Sequence, residues 1–291
     1  SRPAAVCFSF ARGLAAAGAE VTKEFYVNDR GVQMDKFGAS VMAAANGRPV
    51  PEDGYHGGYI LELAAAIVIA RPEITQLPED EQLVAFREAA YALQLRQQQQ
   101  VLALFRTHFD VWYSERSLYE SGAVARGLKK LIEQGHVYEL EGDMWLRTSD
   151  FGDDKDRVLI KTDGEYTYFA ADTAYYVDKR ARGFDLAIYL LGADHHGYVN
   201  RLRAVAACAG DDMDDNIEVL IGQLVKITRG GEEVKLSKRA GTIVTLDDLV
   251  EEVGVDAARY TLARYPVDSP LTLDLEEITR ATNDNPVFYV Q

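Results

Sequence analysis

The chain has 291 residues, 47% of them hydrophobic and 26% charged, and its 46 acidic against 31 basic side chains give a formal net charge of −15. That composition excludes wholesale disorder and argues against general electrostatic coating of nucleic acid, while leaving room for an RNA held by a local basic patch. Two cysteines, Cys7 and Cys208, are too few for a disulfide framework or a zinc site, and no apolar run reaches the roughly 18 residues of a membrane span, so no membrane association and a cytoplasmic location are expected.

A helix is predicted over residues 4–17, stopped by Gly18, followed by a β-type run over 20–27 that closes at Asn28-Asp29. A second helix over 32–46 stops at Gly47. After a turn-rich stretch come an apolar helix over 59–70 and a longer one over 82–105. Residues 109–115 read as a strand reaching a polar end, 122–134 as a helix, and 137–163 as a hairpin-like region turning at Gly142-Asp143. A helix over 166–180, a strand over 185–191, a helix over 199–209 and a strand over 218–227, interrupted by Gln223, complete the alternation. Thr245 then reads as the N-cap of a helix with Asp247 and Asp248 in its first turn. Alternating strands and helices predict an α/β fold with a Rossmann-like doubly wound parallel sheet. The expected units are a first part of that core at 1–46, a mainly helical insertion at 47–107, and the second half of the core at 108–222. A loop-bearing region at 223–270 and the start of a helical domain at 271–291 follow.

Several clusters carry candidate chemistry. Lys235-Leu236-Ser237-Lys238-Arg239 lies between glycines and suits a mobile loop bringing ammonium groups to a polyphosphate; a solvated loop is the bland alternative. Gly192-Ala193-Asp194-His195-His196-Gly197-Tyr198 follows an apolar strand, the place where open α/β sheets bind ligands. His195 and His196 could ligate a metal, but no third ligand stands at a recognisable spacing, so contacts to phosphate or ribose are the better reading and no protein-held metal is expected. Tyr168 and Asp172, four apart, share one helix face, either as an aromatic platform and carboxylate for a cation or as an ordinary half-buried face. Glu115 is a second acidic candidate. Asn28-Asp29-Arg30-Gly31 reads as a plain strand-to-helix turn.

In order and spacing these segments, with Tyr55-His56-Gly57-Gly58-Tyr59-Ile60 and Asn285-Pro286-Val287-Phe288-Tyr289-Val290-Gln291, resemble the arginyl-tRNA synthetases, a class I family, across essentially the whole chain. The resemblance implies an arginine–tRNA ligase working as a monomer, with Glu115, Tyr168 and Asp172 reading the arginine guanidinium. It assigns Gly192, Asp194, His195 and His196 to ATP, and makes Lys235, Ser237 and Lys238 the signature loop facing the departing pyrophosphate. L-arginine, ATP with Mg²⁺, and tRNA(Arg) are the implied substrates. Arginine's carboxylate would attack the α-phosphate, releasing pyrophosphate, and a terminal ribose hydroxyl of the tRNA would then take the arginyl group. The family's HIGH-type histidine motif would fall just before Ser1, and its anticodon-binding helices continue beyond Gln291. The expectation is therefore a fragment with little or no activity and an exposed sheet edge, since losing a phosphate-stabilising group costs about 10²–10³ in rate. Other class I adenylate-forming synthetases and a non-catalytic RNA-binding paralogue are the alternatives.

Overall fold

The computed structural model describes residues 2–234, 245–283 and 285–290. Helix α1 (Arg2–Ala16) precedes strand β1 (Glu24–Val27), which is shorter than the run expected over 20–27. Helices α2 (Val32–Ala45), α3 (Gly58–Ala70) and α4 (Glu79–Leu104) pack together around Val41, Ile60, Ile67 and Phe86. The approach of α2 to α4 is tightest at Gly38, where an added β-carbon would stand 2.6 Å from Cβ of Arg87. Alanine there would gain roughly 0.5–1 kcal/mol of helix preference, against an overpacking cost of about 1–3 kcal/mol. Gly38→Ala is accordingly expected to destabilise the protein by about 1–2 kcal/mol in urea unfolding. An unchanged midpoint would mean that α4 shifts without cost.

Strand β2 (Val111–Ser114) pairs parallel with β1, placing Phe25 opposite Trp112 and Tyr26 opposite Tyr113. Helices α5 (Glu115–Glu120) and α6 (Ala123–Glu133) follow. The hairpin-like region is a three-stranded antiparallel sheet of β3 (Val137–Leu140), β4 (Asp143–Leu146) and β5 (Arg157–Ile160). Its tight turn falls at Glu141-Gly142, not Gly142-Asp143. Both turn residues have positive φ, 54° and 87°, the twist-matched geometry of a type I′ turn, and Asp143 already pairs with Leu140. Helix α7 (Tyr168–Ala181) starts two residues later than predicted, because the Thr167 hydroxyl accepts the Ala170 N–H at 3.2 Å and fixes the cap there.

Strand β6 (Ala187–Gly192), helix α8 (Tyr198–Cys208) and strand β7 (Ile217–Gly222) form the second parallel unit, packed on α7 through Tyr176, Leu202, Val205 and Ile217. The strand expected over 218–227 is two strands in different sheets. Gln223 turns the chain away by donating its N–H to the Val267 carbonyl at 2.9 Å. Beyond it, β8 (Val225–Arg229) joins β9 (Glu232–Glu233) and β10 (Leu271–Asp274) in a separate sheet. Helix α9 (Leu246–Val253) has the predicted Thr245 N-cap, strengthened by a reciprocal capping box with Asp248. Helices α10 (Val255–Ala263), α11 (Leu275–Thr279) and α12 (Pro286–Val290) complete the described chain.

The architecture is mixed α/β with parallel sheets, as expected, but the doubly wound sheet takes the form of two parallel pairs, β1–β2 and β6–β7. Tyr175 of α7 bridges them, its ring 4.7 Å from Tyr26, 4.8 Å from Tyr113 and 6.2 Å from Tyr189. Lys179, in the last turn of α7, and Arg182, just past its end, reach Glu24 of β1 at 3.6 and 2.7 Å. Burial among Tyr175 and Tyr189 pulls the Lys179 ammonium down to about 8.

Candidate functional site

Residues past the carboxyl ends of β1, β2 and β6 supply the candidate site. Glu115, expected at a strand end, is the first residue of α5. The cause is Asp29, just beyond β1 and only 2% exposed. Its carboxylate accepts the Arg116 backbone N–H at 3.0 Å, the Ser114 hydroxyl at 2.6 Å and the Tyr91 hydroxyl at 2.9 Å. Ser114 does not cap its own helix; a carboxylate from the neighbouring strand end meets the first-turn donor instead. Glu115 itself is 6% exposed and accepts no hydrogen bond among the described residues. Burial, with repulsion from Asp29, raises its pKa, and attraction to Arg30 only partly offsets this.

Asp172 lies in the first turns of α7, half-buried, likewise with no hydrogen bond or ion pair among the described residues. Burial first, then repulsion from Glu115, pushes it up to about 7, while Arg201 pulls the other way. Tyr168 is exposed, and its hydroxyl would meet a β-carbon on Gly31 at 3.6 Å. Tyr119 lies within electrostatic range of Glu115, Asp172 and Tyr168 together, and Tyr26 of Glu115 and Asp172. The three predicted residues, from two segments, are therefore gathered in one place. Gly31 has φ 88° and no side chain, which lets the chain turn into α2 under the Tyr168 hydroxyl.

The segment after β6 runs into helix α8. Gly192 ends the strand opposite Gly222; Asp194, His195 and His196 are exposed. A β-carbon on Gly192 would stand 2.6 Å from a carboxylate oxygen of the exposed Asp194, a side chain free to turn away. The His195 imidazole is 3.6 Å from Asp194 and meets the Tyr198 ring edge-on at 5.5 Å. The Arg201 guanidinium sits 4.2 Å over Tyr198, and it is the same Arg201 that attracts Asp172. Arg201 itself stands 3.8 Å from the buried Asp153 carboxylate, so the pull it exerts on Asp172 acts without a direct ion pair. Lys235, Ser237 and Lys238 lie outside the described residues. Among those described, no three His, Cys, Asp or Glu side chains group as a metal site, and no helix is long and apolar enough to cross a membrane.

Sequence reasoning missed Asp29, Tyr119, Tyr26 and Arg201. Asp29 carried one usable signal, its place directly beyond a parallel strand's carboxyl end. Next to it an open cleft of about 340 Å³ is lined by Arg30, Gly31, Arg87, Arg116, Tyr119 and Glu120 among others, with the Arg30 guanidinium 3.6 Å over the Tyr119 ring.

Two parallel strand pairs, with Asp29 and Glu115 just beyond the carboxyl ends of one and the Gly192–Tyr198 segment beyond the other, form an α/β core of class I synthetase type. The model of the family "tRNA synthetases class I (R), catalytic domain" matches residues 70–277, and the chain belongs to that family. It is 58% identical over all its residues to an arginine–tRNA ligase of Frankia alni and 56% to one of Micrococcus luteus. It spans about half the length of these relatives, 53% and 52%. A Campylobacter jejuni structure assigned to the arginyl-tRNA synthetases superposes with a TM-score of 0.91 at 33% identity, covering 99% of this chain and 64% of that one. Thermus thermophilus arginyl-tRNA synthetase, at 17% identity and TM-score 0.66 over 97% of this chain and 58% of its own, shares the fold.

Proposed function

We propose that this chain carries the arginine- and ATP-binding core of an arginine–tRNA ligase. The observation behind the reading is the two carboxylates Glu115 and Asp172, each without a hydrogen-bonding partner among the described residues, with burial raising both and Glu115 repelling Asp172. Such a pair calls for a cation. A planar guanidinium offers five donors in a fixed fork and satisfies carboxylates bidentately, which a compact ammonium does less well. Tyr168 would cover one face of the bound side chain.

ATP would lie along Gly192, Asp194, His195 and His196, and the Lys235–Lys238 loop would meet its phosphates. Magnesium would travel on the triphosphate, since Mg²⁺ is usually bound by one or two carboxylates with substrate phosphates. The arginine carboxylate attacks the α-phosphate, the bond to pyrophosphate breaks, and arginyl-adenylate forms. The ribose hydroxyl of tRNA(Arg) then attacks the arginyl carbonyl and AMP leaves. Positioning and charge stabilisation carry these steps without a covalent enzyme intermediate. A cytoplasmic monomer completes the proposal.

Calorimetric titration tests the cation claim. Arginine should bind, whereas lysine, and citrulline with its neutral urea group, should bind at least about 10²-fold more weakly because they leave buried acceptors unpaired. Lysine binding as tightly as arginine would refute the reading.

A further inference from the structure

We propose that Asp29 is a positioning residue for Glu115, and that Tyr91 of α4, bonded to Asp29, and Glu88 of α4, bonded to Arg116, help set the affinity of the cation site. The inference rests on the arginine reading and deepens it by naming what aims the recognition carboxylate.

Both neighbours of Glu115 are tied to Asp29, while Glu115 is left untied among the described residues. One carboxylate oxygen of Asp29 takes the Ser114 hydroxyl at 2.6 Å and the Tyr91 hydroxyl at 2.9 Å; the other takes the Arg116 N–H at 3.0 Å. The Arg116 side chain returns the contact, donating its Nε–H to the Asp29 carbonyl at 2.5 Å. Its outer nitrogen reaches Glu88 at 2.6 Å, and its guanidinium lies 5.3 Å from the Tyr91 ring. Glu88 and Tyr91 sit on consecutive turns of α4, twenty or more residues upstream of β2. Asp35 of α2 joins through Arg87, which bonds it at 2.6 Å and Glu88 at 2.9 Å. A neutral side chain could cap α5. A buried carboxylate, costly unless fully partnered, does more: with three donors it removes the freedom of the strand-to-helix corner on both sides of Glu115. With both carboxylate oxygens of Asp29 already taken by protein donors, its influence on a bound cation runs through Glu115.

The test compares Tyr91→Phe and Asp29→Asn with Tyr138→Phe, which removes a similar tyrosine–aspartate bond of 2.9 Å, to Asp156, on the antiparallel sheet away from the crevice. Amide hydrogen exchange at Arg116, thermal unfolding and arginine titration are measured on each. Tyr91→Phe should speed Arg116 exchange and weaken arginine binding roughly three- to tenfold, the scale of one hydrogen bond, with no greater loss of thermal stability than Tyr138→Phe. Asp29→Asn should do the same more strongly; should it fail to fold, Tyr91→Phe still decides. Unchanged Arg116 exchange in Tyr91→Phe overturns the proposal. So does faster exchange with unchanged arginine affinity, or a loss of affinity matched by Tyr138→Phe. If the parent protein binds no arginine while Arg116 exchange still responds, the positioning claim stands and the arginine reading falls.

Discussion

Glu115→Gln is expected to weaken arginine binding by about 10²- to 10³-fold, or about 3–4 kcal/mol, while leaving the fold intact or firmer. Glutamine matches glutamate in shape and keeps one acceptor, so the corner built by Asp29, Ser114 and Arg116 should survive. The charge is what goes. Glu115 is 6% exposed, and a guanidinium docked there would give up most of its water, so a lost countercharge could not be replaced by solvent. Without arginine the balance reverses, because the unpaired buried carboxylate disfavours the folded state and its removal relieves Asp172. Glu115→Asp separates charge from reach: it keeps the sign but draws the carboxylate back by one methylene, and should fall between parent and glutamine. Thermal unfolding alongside titration makes the outcome decisive. If affinity falls only as far as the folded fraction falls, Glu115 is a structural residue and the recognition claim fails.

Elements whose cause is local were legible in the sequence. Helix α2 was expected over 32–46 and runs Val32–Ala45, since Gly31 opens it and Gly47 closes it within one contiguous stretch. Thr245 declared its capping role through its own neighbours. What stayed hidden was set at a distance. Glu115 begins a helix because a carboxylate 87 residues from Arg116 captures that residue's N–H, and no window around Glu115 contains that information. The run over 218–227 looks like one strand because both halves are apolar; the Gln223 bond to Val267 divides it. Glu20–Lys23 have the composition of a strand, but regular pairing with β2 begins only at Glu24. At the site, the four-residue spacing of Tyr168 and Asp172 places both in the first turns of α7, as a helical reading of that spacing expects. The repulsion of Asp172 by Glu115 depends on how α5 and α7 meet, and that is a tertiary fact.

Asp172→Asn should move stability and affinity in opposite directions. The Asp172 carboxyl is pushed up to about 7 by burial and by Glu115, against an ordinary 3.8. A raised carboxyl pKa means that the folded state holds the proton more tightly than the unfolded chain. The stabilisation is full below about pH 4 and is lost as pH climbs through about 7. At pH 8 the ionised, unpartnered group should therefore cost on the order of 2–4 kcal/mol, allowing for its partial exposure. Asparagine carries no charge, so Asp172→Asn should melt several degrees above the parent at pH 8, and the gap should close towards pH 4. Arginine binding should run the other way. It requires the ionised form, so parent affinity should fall by up to about tenfold per unit below pH 7, with proton release on binding seen as a buffer-dependent heat. In Asp172→Asn the affinity should be low at every pH and that pH dependence largely lost. Because the Glu115 charge helps raise Asp172, Glu115→Gln should shift the Asp172 midpoint downward. If Asp172→Asn lowers the melting temperature at pH 8, the carboxylate already has a partner in the free protein, and an incoming cation is not what it awaits.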